Sequence, residues 1–339
     1  MRNGKIRLCM KMYRVLRVSL ISLLTLVLIS SCTYPFRKAA TPHRGSLEKP
    51  ISATVRLVKH AMGETLVPVN AKRIVALDPF LAEDALALGV KLVGAPQKTL
   101  SELQPCYNQC LNIKDIGWRP TNIERVAALK PDLILGSTID NKETYKLLSH
   151  IAPTVLYKYS FEEWKDTFLQ AANALGKTES AQIVLAKYNA RLAQFKAKMG
   201  SKLQKTIVSF LSPRPEIMVV FTKKSFSGLI LKEAGVARPT SQMSDKEATP
   251  GKGGNIAYNL SRELLVDVDG DVLFVSPTST TNTTSQRVLQ KLRSEPLWSK
   301  LKVVQQGKVY LVRDYWICCG SIAANRVLDD LFKYLLNQS

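Results

Sequence analysis

Hydrophobic and polar positions are spread very unevenly over the first part of this chain. Arg2, Lys5, Arg7, Lys11, Arg14 and Arg17 precede the run VSLISLLTLVLISSC, Val18 to Cys32. That run has about a dozen apolar residues, which is the order of a secretory signal and too short to span a bilayer. Residues 33–52 show no apolar period and are rich in Pro, Ser, Thr and charge, so they read as a flexible tether. From Thr54 to Val69 the alternation TVRLV, a turn at Met62-Gly63 and TLVPV predict a β-hairpin.

Beyond the hairpin, short apolar runs alternate with helical patterns. Ile74 to Leu77 and Lys91 to Gly94 read as strands, with a helix from Leu81 to Leu88 between them that Gly89 ends. Asn122 to Leu129 is a helix stopped before Pro131, and Leu133 to Leu135 a buried strand. In Thr178 to Gly200, Ala181, Val184, Leu185, Tyr188, Leu192, Phe195 and Met199 recur at spacings of three and four, with Thr178 placed to cap. That stripe predicts a helix of roughly 22 residues, or about 33 Å. Strands then follow at Thr206 to Leu211, Val272 to Ser276 and Lys308 to Val312. Helices are expected at Phe226 to Ala234, ended by Gly235, at Leu260 to Leu265 and at Ile322 to Leu336. Alternating strands and helices argue for parallel sheets covered on both faces.

The halves on either side of the long helix echo each other. Sliding NIERVAALKPDLILGS by 139 positions lays Glu124 on Glu263, Asp132 on Asp271, Leu133 to Leu135 on Val272 to Phe274, and Ser137 on Ser276. The predicted fold is therefore α/β, with two Rossmann-like lobes joined by one long backbone helix and a ligand cleft between them at the strand carboxyl ends. The expected organisation is signal 1–31, tether 32–53, N-terminal lobe 54–177, connecting helix 178–200 and C-terminal lobe 201–339.

Charge and cysteine content narrow the function. The end of the signal, Ile29-Ser30-Ser31-Cys32, resembles the lipobox of bacterial lipoproteins, which implies cleavage before Cys32 and acylation of that residue. Met10 or Met12 are alternative starts. Once the leader and its six cations are discounted, the formal charge falls from +21 to +15, so the body attracts anions. Its exported location argues against nucleic acid as the partner. The full chain is 46% apolar, and the 308 residues left after the leader suffice for two cores. Four cysteines remain in the body, Cys106, Cys110, Cys318 and Cys319, and they allow three pairings. The preferred one is Cys106 with Cys110. His43, His60 and His150 lie far from these cysteines in sequence, which argues against a structural zinc.

No catalytic constellation is present: there is no GxSxG, no HExxH and no phosphate loop. The strand ends instead carry arginine and aromatic residues, Trp118-Arg119-Pro120, Arg214 and Tyr315-Trp316. Guanidinium groups grip carboxylates and flat rings supply apolar area, a set suited to an anionic, partly apolar small molecule.

KHAMGET followed by VPVNAKRIVALD, NIERVAALKPDLILGS, SFSGLILKEAGVARP, LWSKLKVVQQGKVYLVRDYW and SIAANRVLDDL resembles the iron-siderophore class of periplasmic substrate-binding proteins of ABC importers. The resemblance covers about residues 54 to 337. It implies two lobes on a rigid helix, modest closure on ligand, and delivery of a ferric chelate, haem or cobalamin to a permease dimer with its ATPase. Carried over by position, the ligand-binding residues are Asp78, Trp118, Arg119, Arg214, Ser225, Phe226, Tyr315 and Trp316, and the permease-docking residues are Glu124 and Glu263. The Cys318-Cys319 pair departs from the small flexible residues usual there. The resulting expectation is a monomeric lipoprotein on the outer face of the cytoplasmic membrane that binds an anionic ferric siderophore, such as ferric citrate, without a resident cofactor or protein metal ligand. The alternatives are a haem binder with Tyr258 or Tyr315 as axial ligand, a cobalamin binder, an exported hydrolase using Asp78 or Asp140, and an envelope scaffold with no small ligand.

Overall fold

A pair of short strands, β1 (Val55–His60) and β2 (Gly63–Pro68), opens the fold as an antiparallel hairpin. The computed structural model describes residues 54–96, 112–243, 256–277, 283–317 and 320–336. Ala53–Ser339 forms one compact unit. Cys32, Cys106, Cys110, Cys318 and Cys319 lie outside the described residues, and so do the signal and the tether.

The first sheet holds β3 (Ile74–Ala76), β4 (Leu92–Ala95), β5 (Lys114–Asp115), β6 (Leu133–Ser137) and β7 (Thr154–Tyr157) in the order β5-β4-β3-β6-β7, with every pair parallel. The second holds β8 (Val208–Pro213), β9 (Met218–Phe221), β10 (Ala257–Leu260), β11 (Val272–Val275) and β12 (Val309–Leu311) in the order β10-β9-β8-β11-β12. Here β8, β11 and β12 run parallel while β9 turns back. The helices that matter below are α1 (Pro79–Ala87), α2 (Ile123–Ala128), α3 (Trp164–Leu175), α4 (Thr178–Met199), α5 (Phe226–Ala234), α6 (Thr283–Arg293) and α7 (Ser321–Leu336).

The internal echo in the sequence is a repeated piece of structure. Asp132 accepts hydrogen bonds from the backbone N–H groups of Lys72 and Arg73, at the entry to β3, at 2.8 and 2.9 Å. Asp271 does the same for Ile207 at the entry to β8, at 2.9 Å. The pairs β3·β6 and β8·β11 form the parallel centres of their sheets, and Ser137 and Ser276 are both fully buried at their ends. Each aspartate ties the start of the central strand to the start of its neighbour, which is why the same spacing recurs 139 residues on.

The long helix α4 spans 22 residues. Ala181, Tyr188, Leu192, Phe195 and Met199 are buried along it, and Val184 and Leu185 pack at the core's edge. Thr178 does not cap it. Helix α3 ends at Gly176, whose φ of 66° places it in the left-handed region, so the cap position falls on Lys177, which makes no side-chain bond there. Leu260 to Leu265 is not an α-helix either: Leu260 closes β10, and a 3-10 helix runs from Arg262 to Val268.

One hydrophobic cluster joins the two sheets. It includes Ile74, Leu133 and Val155 of the first sheet, Phe80 and Leu81 of α1, Phe168 of α3, the buried face of α4, Phe210 and Phe274 of the second sheet, Phe226 of α5 and Val327 of α7. The opposite faces are covered separately, by smaller clusters around Leu148 and Leu265. Two lobes that share a core cannot separate without exposing it, so the shared cluster resists their separation.

Candidate functional site

Parallel strands end where backbone groups and helix N-termini point outward, and the residues at those ends define the candidate site. On the first lobe β5 leads into Trp118 and Arg119. Arg119 has a φ of 53°, in the left-handed region that costs an ordinary residue energy. Its guanidinium lies 4.6 Å from the Trp118 ring centroid, and its Nε donates to both carboxylate oxygens of Asp140 at 2.9 and 3.0 Å. Asp140 stands on the short turn of helix Thr138–Asn141 that follows β6. The Arg119 side chain keeps 53% of its surface exposed, and the buried indole Nε1 of Trp118 has no partner among the described residues. An arginine gripped through Nε alone leaves both Nη groups for a carboxylate fork.

Asp78 sits at the end of β3 and is wholly buried. One oxygen caps α1 by accepting from Leu81 N at 3.1 Å, and the other accepts from Ser137 N at 2.6 Å. Burial pushes its carboxyl up to about 6, against the pull of those N–H groups. Ser225 caps α5, accepting from Gly228 N at 3.0 Å and donating to the Thr222 carbonyl at 2.7 Å. Phe226 packs edge-on against Trp164 with centroids 6.1 Å apart. Trp316 packs in tilted fashion 4.4 Å from Phe274 and 5.1 Å from Phe210, and its Nε1 donates to Asp330 at 2.7 Å. Asp78, Ser225, Phe226 and Trp316, four of the expected ligand-binding residues, are each buried to 1% exposure or less. Asp78 and Ser225 are engaged in helix caps, and Phe226 and Trp316 in core packing.

Tyr315 is half-buried. Its hydroxyl also donates to Asp330, at 2.8 Å, and burial together with that carboxylate pushes the phenol well above its usual range. Arg214 occupies the β8–β9 turn, where its Nε is buried without a partner among the described residues. It lines a cavity of about 420 Å³ together with Glu263, Lys291 and Glu295. The structure thus brings Trp118, Arg119 and Asp140 together on one lobe, and places Arg214 beside Glu263 on the other. Glu124 and Glu263 are both exposed, each on the first turn of its helix.

Two features escaped the sequence reading. A cavity of about 720 Å³ runs along α5, bordered by Glu162, Lys223, Lys224, Lys232 and Arg238, and it adds cations next to the Ser225 cap. A set of buried carboxyls, Asp78, Glu83 and Asp84, lies beside Tyr159. Glu83 is pushed up to about 8 and Asp84 well above the carboxylate range, burial being the main cause in both. The signal was present, since Glu83-Asp84 interrupts the otherwise apolar helix PFLAEDALA.

Two α/β lobes on a long helix, with a cationic and aromatic site at their strand ends, define a bilobal binding protein. The chain belongs to the periplasmic binding protein family, whose profile matches residues 74–315. It is 35% identical over 297 residues to the probable siderophore-binding lipoprotein YfiY of Bacillus subtilis, covering 84% of this chain and 89% of that one. It is 26% identical over 332 residues to the Fe(3+)-citrate-binding protein YfmC of the same organism, covering 96% and 98%. Among solved structures, Staphylococcus aureus SirA complexed with staphyloferrin B superposes with a TM-score of 0.69 at 28% identity, over 83% of this chain and 98% of that one.

Proposed function

We propose that this protein is an exported, lipid-anchored substrate-binding protein that captures an anionic ferric siderophore and delivers it to an ABC-type iron importer. The relatives named for siderophore and ferric citrate binding support the class of ligand. The observation that carries the anionic character is Arg119, held by Asp140 through Nε and stacked on Trp118 with its remaining nitrogens uncommitted among the described contacts. The chelate brings its own iron ligands, so the protein grips the complex by charge and stacking. Cys32 carries the anchor, Glu124 and Glu263 dock one lobe each on the permease dimer, and the protein acts as a monomer.

The other readings fit the geometry less well. A haem would need a free phenolate, yet the Tyr315 hydroxyl is committed to Asp330 and that of Tyr258 to the Ser241 carbonyl at 3.2 Å. A hydrolase would need an accessible carboxylate, yet Asp78 is enclosed and Asp140 is spent on Arg119.

The test is a tryptophan-fluorescence titration of the full-length protein in detergent against ferric citrate, other ferric chelates, haem, cobalamin and the iron-free chelators. Saturable quenching by a ferric complex, weakened in Arg119→Ala, is the expected result. Quenching by haem or cobalamin alone, or by nothing, overturns the proposal.

A further inference from the structure

Glu83 is on α1, in the first lobe, and its partner lies 240 residues further along the chain. Its Oε1 accepts from Ala323 N at 2.7 Å, and the Ile322 N–H also bonds to the carboxyl. These are first-turn amides of α7, the 16-residue helix that follows the aromatic segment Asp314–Trp316. A helix leaves its first amides without internal partners, and here a side chain from the other lobe satisfies them. The approach is close. Gly320, just before the helix, has a φ of 130°, and a Cβ there would meet Glu83 Oε1 at 2.5 Å. Glu83 is 5% exposed and Ser321 1%.

The carboxyl also sits between two anchored elements. Toward the arginine side, α1 is capped by Asp78, which holds Ser137 N, and Ser137 opens the short helix that carries Asp140 and thereby Arg119. Toward the aromatic side, Asp330 of α7 holds both Tyr315 and Trp316. The groups facing Glu83 are Asp84 of α1, Tyr159 after β7, and Arg326 of α7.

We propose that Glu83 is a positioning residue of the ligand cleft: by capping α7 from the opposite lobe, it sets the Tyr315 side at a fixed distance from the Arg119 side. The inference rests on the ligand-site reading above. A shared apolar cluster restrains the lobes in general, but dispersion has no directional preference. The two N–H bonds to Glu83 supply a registered contact across the boundary.

The experiment measures the lobe separation in the full-length protein by pulsed electron spin resonance. Nitroxide labels on ketone-bearing residues are placed at Lys142 and Lys300, which are exposed on either lobe. Wild type and Glu83→Gln, which keeps an acceptor oxygen, give one narrow distance distribution. Glu83→Ala gives a broadened or shifted one. So does Gly320→Ala, which leaves the carboxyl intact but crowds it, and which covers the case in which Glu83→Ala fails to fold. In the same samples the dissociation constant for ferric citrate rises about tenfold in both alanine variants and stays within about twofold in Glu83→Gln. Unchanged distributions in folded Glu83→Ala and Gly320→Ala overturn the inference, as does a loss of affinity in Glu83→Gln equal to that in Glu83→Ala. If wild type fails to bind ferric citrate, the choice of ligand falls, while the distance measurement still decides the role of Glu83.

Discussion

Glu83→Gln should stabilise the protein at alkaline pH and do little at acid pH, against the common expectation that a buried hydrogen-bonded carboxylate is worth most when ionised. Burial dominates the balance at Glu83, pushing its carboxyl up to about 8 despite two backbone donors and the nearby Arg326. In the unfolded chain the same group ionises near its usual 4.5. Between those values the folded state holds a proton that the unfolded state has lost, so stability falls as pH rises. The contribution is complete below the unfolded pKa and gone once the folded pKa is passed. Each pH unit in this window is worth about 1.4 kcal/mol, so from pH 5.5 to 8 the wild type should lose roughly 3 kcal/mol that Glu83→Gln retains. Urea unfolding of both proteins at the two pH values measures the gap, and comparing the variants cancels titration of groups not coupled to Glu83, such as His60, whose pKa burial lowers. A gap that stays constant between pH 5.5 and 8 refutes the reasoning, because it means that Glu83 is already ionised in the folded state.

Further predictions follow from the same contacts. Arg119→Ala should weaken ferric-chelate binding about tenfold to a hundredfold by calorimetry, the loss of a charged fork being worth about 1.5–3 kcal/mol, with far-ultraviolet circular dichroism unchanged because the side chain is exposed. Trp316→Ala should cost about 3–5 kcal/mol of stability in urea unfolding, since the ring is fully buried against Phe210 and Phe274; a cost below 1 kcal/mol would mean that the ring is not core. Tyr315→Phe should leave chelate affinity within about threefold, because its hydroxyl serves Asp330. Replacing Glu124 and Glu263 together with arginine should abolish iron uptake in cells while leaving chelate binding in solution intact.

The fold was largely legible because its central strands are short, mainly apolar and separated by helices with clear ends, as in Leu133–Ser137 and Phe226–Ala234. The 22-residue stripe of α4 and the 139-residue echo were legible for the same reason, since both are periodicities fixed by burial. Strand β9 was not, because only tertiary pairing turns MVVF back antiparallel beside β8. The position of the candidate site residues was legible in the sequence, and the orientation of their side chains was not. Asp78, Ser225, Phe226 and Trp316 occupy the expected segments, but their side chains turn inward, and no sequence pattern separates a cap from a ligand contact when both use the first residue of a helix. Asp330 and Glu83 were invisible for a related reason: their partners lie 14 and 240 residues away, and a lone acid on a helix does not announce what it holds.

The central claim, capture of an intact ferric chelate by charge and stacking, is tested most directly by stoichiometry. The full-length protein is incubated with ferric citrate, desalted, and assayed for iron by mass spectrometry and for citrate by chromatography, beside Arg119→Ala. Iron and citrate should elute together with wild type, saturating at one chelate complex per chain, and both should be depleted in the variant. Iron retained without citrate, or equal retention of both by Arg119→Ala, would contradict it.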